Sequence, residues 1–266
     1  MCLVDATHVK EPGKTGSCWR IHYALALPSL ACRHFSLTST SGQGVAESFR
    51  HFPVQATDCL IGDRGYSTTD NIASVSDREG WVLIRYNPFS LALHTPQGKR
   101  MEMARLLARW PDQQQSRRWH CAVQHPAGGL IAGRLVVIRK SQTAAAAATK
   151  RVLRQASKKQ YTLKRPVLEY AKYIMVFTTL PEDRFAPELC LEWYRVRWQI
   201  ELVFKRLKSL AGLGHLPKHD PESSQAWLYG KLFTGLLTEK LIQYGEAISP
   251  WGYGLASASP PAKPVA

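Results

Sequence analysis

Acidic residues are scarce in this chain. Against 35 Lys and Arg stand 20 Asp and Glu, a formal net charge of +15 over 266 residues. Such an excess says little about fold but favours a polyanionic partner, either nucleic acid or an acidic membrane surface. Paired cysteines are missing too: Cys2, Cys18, Cys32, Cys59, Cys121 and Cys190 lie scattered without a CxxC. That excludes a cysteine zinc site and a dense disulfide framework, and leaves buried, reduced thiols in a cytoplasmic protein. No apolar run approaches the ~20 residues of a membrane span. No basic stretch followed by an apolar core opens the chain, so no signal peptide is expected. The nine histidines, His22, His34 and His51 among them, show no HExxH or similar spacing and carry no assigned role. There is no internal repeat. Apolar residues, by contrast, make up 45% of the chain, enough for a sizeable core and against general disorder. The length fits one large domain, or one domain carrying an inserted module.

The order of elements reads as α/β. Residues 2–6 form a buried strand, 11–16 a turn, and 17–27 a second β run stopped by Pro28. Residues 31–38 give a third strand ending in the turn at 41–44, and 45–52 a short helix before Pro53. A short central strand over 58–62 breaks at Asp63-Arg64-Gly65-Tyr66. A helix over 68–79 and a strand over 81–85 follow. From about Asn87 the texture changes to strand-like pieces at 119–124 and 130–139, then an Ala-rich basic helix over 143–159. Between Arg134 and Arg165 there are ten Lys or Arg and no Asp or Glu, so this stretch reads as a phosphate-tracking insertion. Residues 169–179 make a strong β run. The division expected is 1–86 as the first part of a core, 87–165 as a β-rich basic insertion, 166–248 as the second part of the core with a C-terminal helix at 227–244, and 249–266 as a flexible tail.

The richest segment is a long helix that Pro187 opens and Gly212 stops. At about 100° per residue, Tyr194, Arg197, Glu201, Lys205 and Lys208 fall on a stripe roughly 80° wide. Trp193, Val196, Ile200, Val203, Phe204, Leu207 and Leu210 form a separate apolar face. One carboxylate among four anion-holding groups suits a phosphate site. Two further carboxylates stand where strands end, Asp5 within Leu3-Val4-Asp5-Ala6-Thr7 and Asp63 after Leu60-Ile61-Gly62. Such positions face the ligand crevice of an α/β sheet. Carboxylates gathered there repel unless a cation neutralises them, and hard oxygen donors suit Mg²⁺ or Mn²⁺. Each of these residues also has an ordinary alternative, as a turn residue for the aspartates and a surface i,i+4 pair for Glu201.

The pattern Tyr194, Arg197, Glu201, Lys208 resembles the Tyr-x2-Arg-x3-Glu-x6-Lys signature of bacterial DDE transposases of the insertion-sequence "four" family. Asp63-Arg64-Gly65-Tyr66 resembles that family's second-aspartate motif, and Val4-Asp5-Ala6-Thr7 its first. The resemblance runs from residue 1 to about Ile248. It implies a ribonuclease-H-like core with a mostly β insertion before the glutamate-bearing helix. It implies that Asp5, Asp63 and Glu201 bind two Mg²⁺ or Mn²⁺ ions, and that Tyr194, Arg197 and Lys208 grip phosphates of double-stranded DNA at transposon ends. Lys205, Arg64 and Tyr66 would add contacts, with a salt bridge for Arg64 and the core edge for Tyr66 as alternatives. Trp119 is a candidate for stacking on a flipped base, with core packing as the alternative. The activity implied is hydrolytic nicking followed by 3′-hydroxyl strand transfer, in cut-and-paste DNA transposition, by a cytoplasmic protein that is nucleoid-associated and possible as a homodimer when on DNA. Relatives carry an N-terminal DNA-binding region before the first aspartate strand, so a truncated chain with weakened end recognition is expected. The rivals are a catalytically inactive DNA-binding remnant and a generic ribonuclease-H-like nuclease.

Overall fold

The computed structural model describes residues 1–10, 18–40, 47–110, 116–163, 165–217 and 220–248. The turns expected at 11–16 and 41–44 and the tail at 249–266 lie outside these. Eight strands form one sheet: β1 (Cys2–Lys10), β2 (Cys18–Ala26), β3 (Cys32–Ser39), β4 (Cys59–Gly62), β5 (Trp81–Arg85), β6 (Ser116–Gln124), β7 (Leu130–Arg139) and β8 (Tyr173–Thr178). Their order is β3-β2-β1-β4-β5-β8-β7-β6. β4 runs parallel to both β1 and β5, while β8 runs antiparallel to β5 and β7. The parallel centre needs cover on both faces, and its sequence shows why it can take it: Leu60, Ile61, Val82, Leu83 and Ile84 are all buried in unbroken apolar runs.

The helices are α1 (Thr69–Ser76), α2 (Met103–Ala108), α3 (Gln142–Lys158), α4 (Arg165–Ala171), α5 (Pro187–Val196), α6 (Trp198–Ser209) and α7 (Pro221–Ile248). Thr68 caps α1 by accepting the Asn71 N–H, and Ser141 caps α3 by accepting that of Ala144. Pro187 opens α5 as expected, and Gly212 takes a left-handed φ of 68° beyond α6. Among the described residues no helix is long and apolar enough to cross a membrane.

The chain divides into two compact units. Met1–His8 with Arg20–Leu202 is one, and Val9–Trp19 with Val203–Ala266 is the other. The core of the first lies on the sheet, with Phe49, Phe52, Tyr66, Ile72, Leu135 and Phe177 among its buried side chains. The second holds a bridge between Lys10 and His215, and the Leu207 side chain against Gly235 of α7.

Four local expectations need correction. Of the helix expected over 45–52, residues 45–46 lie outside the described ones, and 47–52 hold a single 3₁₀ turn at Phe49–His51, because Asn71 Oδ1 takes the Phe49 N–H and the Ser48 hydroxyl instead. The β run at 169–179 begins only at Tyr173. Residues 169–171 close α4, whose Pro166 suits a first turn and which packs on α3. Within 87–165, β6 and β7 extend the same sheet beside β8. The long helix is broken at Arg197, where the Arg197 and Ile200 amides donate to Tyr194 and Arg197 carbonyls at 3.2 Å each. Those i→i+3 bonds wind about 120° per residue, so the stripe drawn for one continuous helix is not preserved. Leu210, placed on the apolar face, lies past the end of α6 and is 84% exposed.

Candidate active site

Asp5 follows the buried run Cys2, Leu3 and Val4 in β1. In the parallel pairing Cys2 opposes Leu60 and Leu3 opposes Ile61. Two residues further along, that register sets Asp5 level with Asp63. The β4–β5 register, which pairs Gly62 with Ile84, likewise sets Asp63 level with Arg85. Asp63 closes a tight turn by accepting the Gly65 N–H at 2.7 Å. Strand pairing between segments far apart in sequence therefore gathers two carboxylates and an arginine at one end of the parallel strands.

Burial dominates the electrostatics of Asp5. Its carboxyl is pushed up to about 7, first by desolvation and then by the charges of Asp63 and Glu47; the Ala6 N–H and Arg197 oppose the rise. Arg197 stands 3.6 Å from Asp5 Oδ2 through Nη1 and 2.5 Å from Glu201 Oε1 through Nη2. At 3.6 Å the guanidinium offsets only part of the cost of burying Asp5. Glu201 thus reaches the aspartates through Arg197. Among the described residues no three His, Cys, Asp or Glu side chains converge, as they stand, to enclose a metal ion. A guanidinium supplies the positive charge between Asp5 and Glu201.

Tyr194 is held protonated by burial, and its ring lies 6.0 Å from the Arg197 guanidinium. Its hydroxyl feels Arg197, Arg85 and Asp63, so it belongs to the same cluster. Tyr66 is different: it is fully buried and stacked on Phe49 at 4.6 Å. Arg64 is exposed, lining a cavity of about 600 Å³ with Lys140, Arg151, Phe89 and Tyr170, and no acidic side chain lines it. Burial lowers the Lys140 pKa, and the charges of Arg85, Arg64 and Arg151 lower it further. Lys205 and Lys208 stand exposed on later turns of α6.

Several expectations about basic and aromatic residues change. Arg134 is buried, donating to the Leu180 and Phe185 carbonyls, and so cannot track phosphates. Trp119 is partly buried against the core, edge-on to Trp110. Glu47 and Arg85 were not anticipated. Arg85 had a signal, the register of a second parallel strand; Glu47 had none, belonging to no motif.

Residues 39–237 match the family described as "Transposase DDE domain". The chain is 30% identical over 246 residues to the InsL protein of insertion sequence element IS186A from Escherichia coli strain K12, covering 91% of this chain and 65% of that protein. The same figures hold for the transposase of insertion sequence element IS421 from Escherichia coli. The transposase of IS1151 from Clostridium perfringens is 29% identical over 91 residues, 34% of this chain and 19% of that protein. The chain therefore spans about two thirds of the length of its Escherichia coli relatives.

Proposed function

The chain belongs to the bacterial DDE transposase family, and from that premise we propose that it carries out metal-dependent cleavage and strand transfer of DNA at insertion-sequence ends. The observation that carries this reading is the meeting of Asp5 and Asp63 by strand register, with Arg197 joining Asp5 to Glu201. The strand order β3-β2-β1-β4-β5, with β4 parallel to both neighbours, supports a ribonuclease-H-like core.

The donor set fits hard divalent cations, Mg²⁺ or Mn²⁺. Asp5 and Asp63 repel each other, and Gly65 leaves free the place a Cβ would take 3.0 Å from Asp63 Oδ1. Asp5, Asp63 and Glu201 would hold the ions. A bound pair supplies an activated attacking oxygen and a stabilised leaving oxygen in phosphodiester chemistry. The chain's own residues do the rest. Asp5, whose pKa burial raises to about 7, would hold a cation in its carboxylate form. Arg197 then exchanges carboxylate oxygens for phosphate oxygens, which its fork can hold bidentately. Tyr194 keeps its proton and donates to the same backbone. Arg64, Lys140 and Arg151 line a path for the DNA beside Asp63, and Lys205 and Lys208 add point charges along α6. The protein acts in the cytoplasm on double-stranded DNA, as a homodimer.

A DNA-binding chain without catalysis is the second reading, favoured by the absence of three converged carboxylates among the described residues. One experiment separates them. Supercoiled plasmid is incubated with the chain and Mn²⁺, and nicked circles are counted. Asp63→Asn and Glu201→Gln are expected to slow nicking by about 10²–10³-fold while DNA affinity holds. Nicking that survives both substitutions rules out the carboxylate mechanism. Joining of a labelled 3′-hydroxyl end to the plasmid then distinguishes strand transfer from simple nuclease action.

A further inference from the structure

Glu47 lies where no signature motif points. It precedes the 3₁₀ turn, and the backbone after it is pinned: Ser48 donates its hydroxyl to Asn71 Oδ1 at 3.0 Å, and the Phe49 N–H donates to the same oxygen at 2.9 Å. Asn71 is itself buried in α1, so the approach of Glu47 is fixed by the core. Phe49, two residues on, is fully buried on Tyr66.

The Glu47 and Asp63 carboxylates approach each other at Gly65. A Cβ built on Gly65 would meet Glu47 Oε2 at 2.4 Å and Asp63 Oδ1 at 3.0 Å, so the two oxygens flank one point in space. Gly65 has no left-handed φ. Its missing side chain serves the space between the carboxylates rather than the backbone. A second observation points to a ligand there. The Tyr66 hydroxyl is buried and has no hydrogen-bond partner among the described residues. Burial first, and then the charges of Asp5, Glu47 and Asp63, hold it protonated. A buried hydroxyl without a partner is costly, and this one lies within the field of three carboxylates that repel one another.

We propose that Glu47 is a fourth carboxylate of the active site, an oxygen donor to the divalent cation that Asp5 and Asp63 hold, with Gly65 leaving the room. This rests on the cation reading above. Burial and then the charge of Asp63 raise the Glu47 pKa, while the charge of Arg20 opposes the rise, so the alternative is a structural ion pair with Arg20. The two make different predictions.

Mn²⁺ affinity of the purified chain, followed by titration calorimetry and by the loss of free-ion electron paramagnetic resonance signal, decides between them. Glu47→Gln is expected to weaken Mn²⁺ binding by about tenfold, with the melting temperature in EDTA unchanged or raised because a repelling charge is gone. Gly65→Ala, which fills the gap while leaving every carboxylate in the sequence, is expected to weaken Mn²⁺ binding as well. Wild-type Mn²⁺ affinity in both variants, alongside a loss in Asp63→Asn, overturns the role of Glu47 and leaves the two-aspartate reading intact. Glu47→Gln that melts earlier in EDTA yet binds Mn²⁺ normally assigns it to Arg20 instead. Unaltered affinity in Asp63→Asn removes the cation reading, and the role of Glu47 falls with it.

Discussion

Asp5 shows what burying a carboxylate does to a site. Its folded pKa, about 7, lies above the ordinary value of 3.8. Between those values the folded chain binds more protons than the unfolded one, so metal-free stability falls as pH rises from about 4 to about 7 and stays low above. Asp5→Asn removes the charge that cannot be solvated. We expect it to be more stable than wild type by about 2 kcal/mol at pH 8 in EDTA, with the gain gone at pH 4. Urea unfolding at the two pH values checks this, and an equal effect at both would refute it. Arg197 makes a complementary case. Its partner Glu201 is 58% exposed, so that pair contributes at most about 1 kcal/mol to stability. Arg197→Ala should lose little through the Glu201 pair yet lose about 10²-fold in plasmid nicking. Arg197→Lys should fail to restore nicking, because an ammonium cannot bridge two acceptors as a planar fork does.

Among the elements, the joint between β7 and β8 leaves no room for a side chain at Gly133. Gly133 lies in β7, and a Cβ there would meet Phe177 Cζ at 2.6 Å and the Thr178 carbonyl at 2.8 Å. Backbone and a buried ring cannot both yield. Gly133→Ala is expected to cost about 2–3 kcal/mol, read as a lower urea midpoint. The break between α5 and α6 acts in the opposite sense, by placing rather than packing. With two i→i+3 bonds around it, Arg197 leaves the helical stripe and reaches both Asp5 and Glu201. Sequence periodicity assumes one uniform winding, so it found Tyr194, Glu201, Lys205 and Lys208 on helices but missed the break at Arg197 and the end before Leu210.

At the scale of the molecule, charge is the largest lever. α3 exposes Lys150, Arg151, Arg154 and Lys158 on a helix with no acidic residue. If these groups neutralise phosphates, each contributes about 0.9 to the salt slope of DNA affinity. Replacing Arg151 and Arg154 together by Ala should flatten log affinity against log salt by about 2, measured with a fluorescent duplex. An unchanged slope would mean that α3 stays clear of the DNA. Arg134 illustrates why a charge count overstates this: one of the ten basic residues in that stretch is spent on two carbonyls inside the core.

By itself the sequence determined what depends on neighbours in the chain. The strands at 81–85 and 130–139, the caps, the paired motif spacings and the basic helix all follow from patterns a few residues long, because side-chain alternation and helical winding are local. Tertiary structure alone decided which distant groups meet. The level of Asp5 with Asp63 comes from parallel pairing across more than fifty residues, the arrival of Arg85 from a third strand, and the approach of Glu47 from an asparagine in α1 that holds its backbone. Such contacts are set by register and by core packing, and neither leaves a periodic trace along the chain.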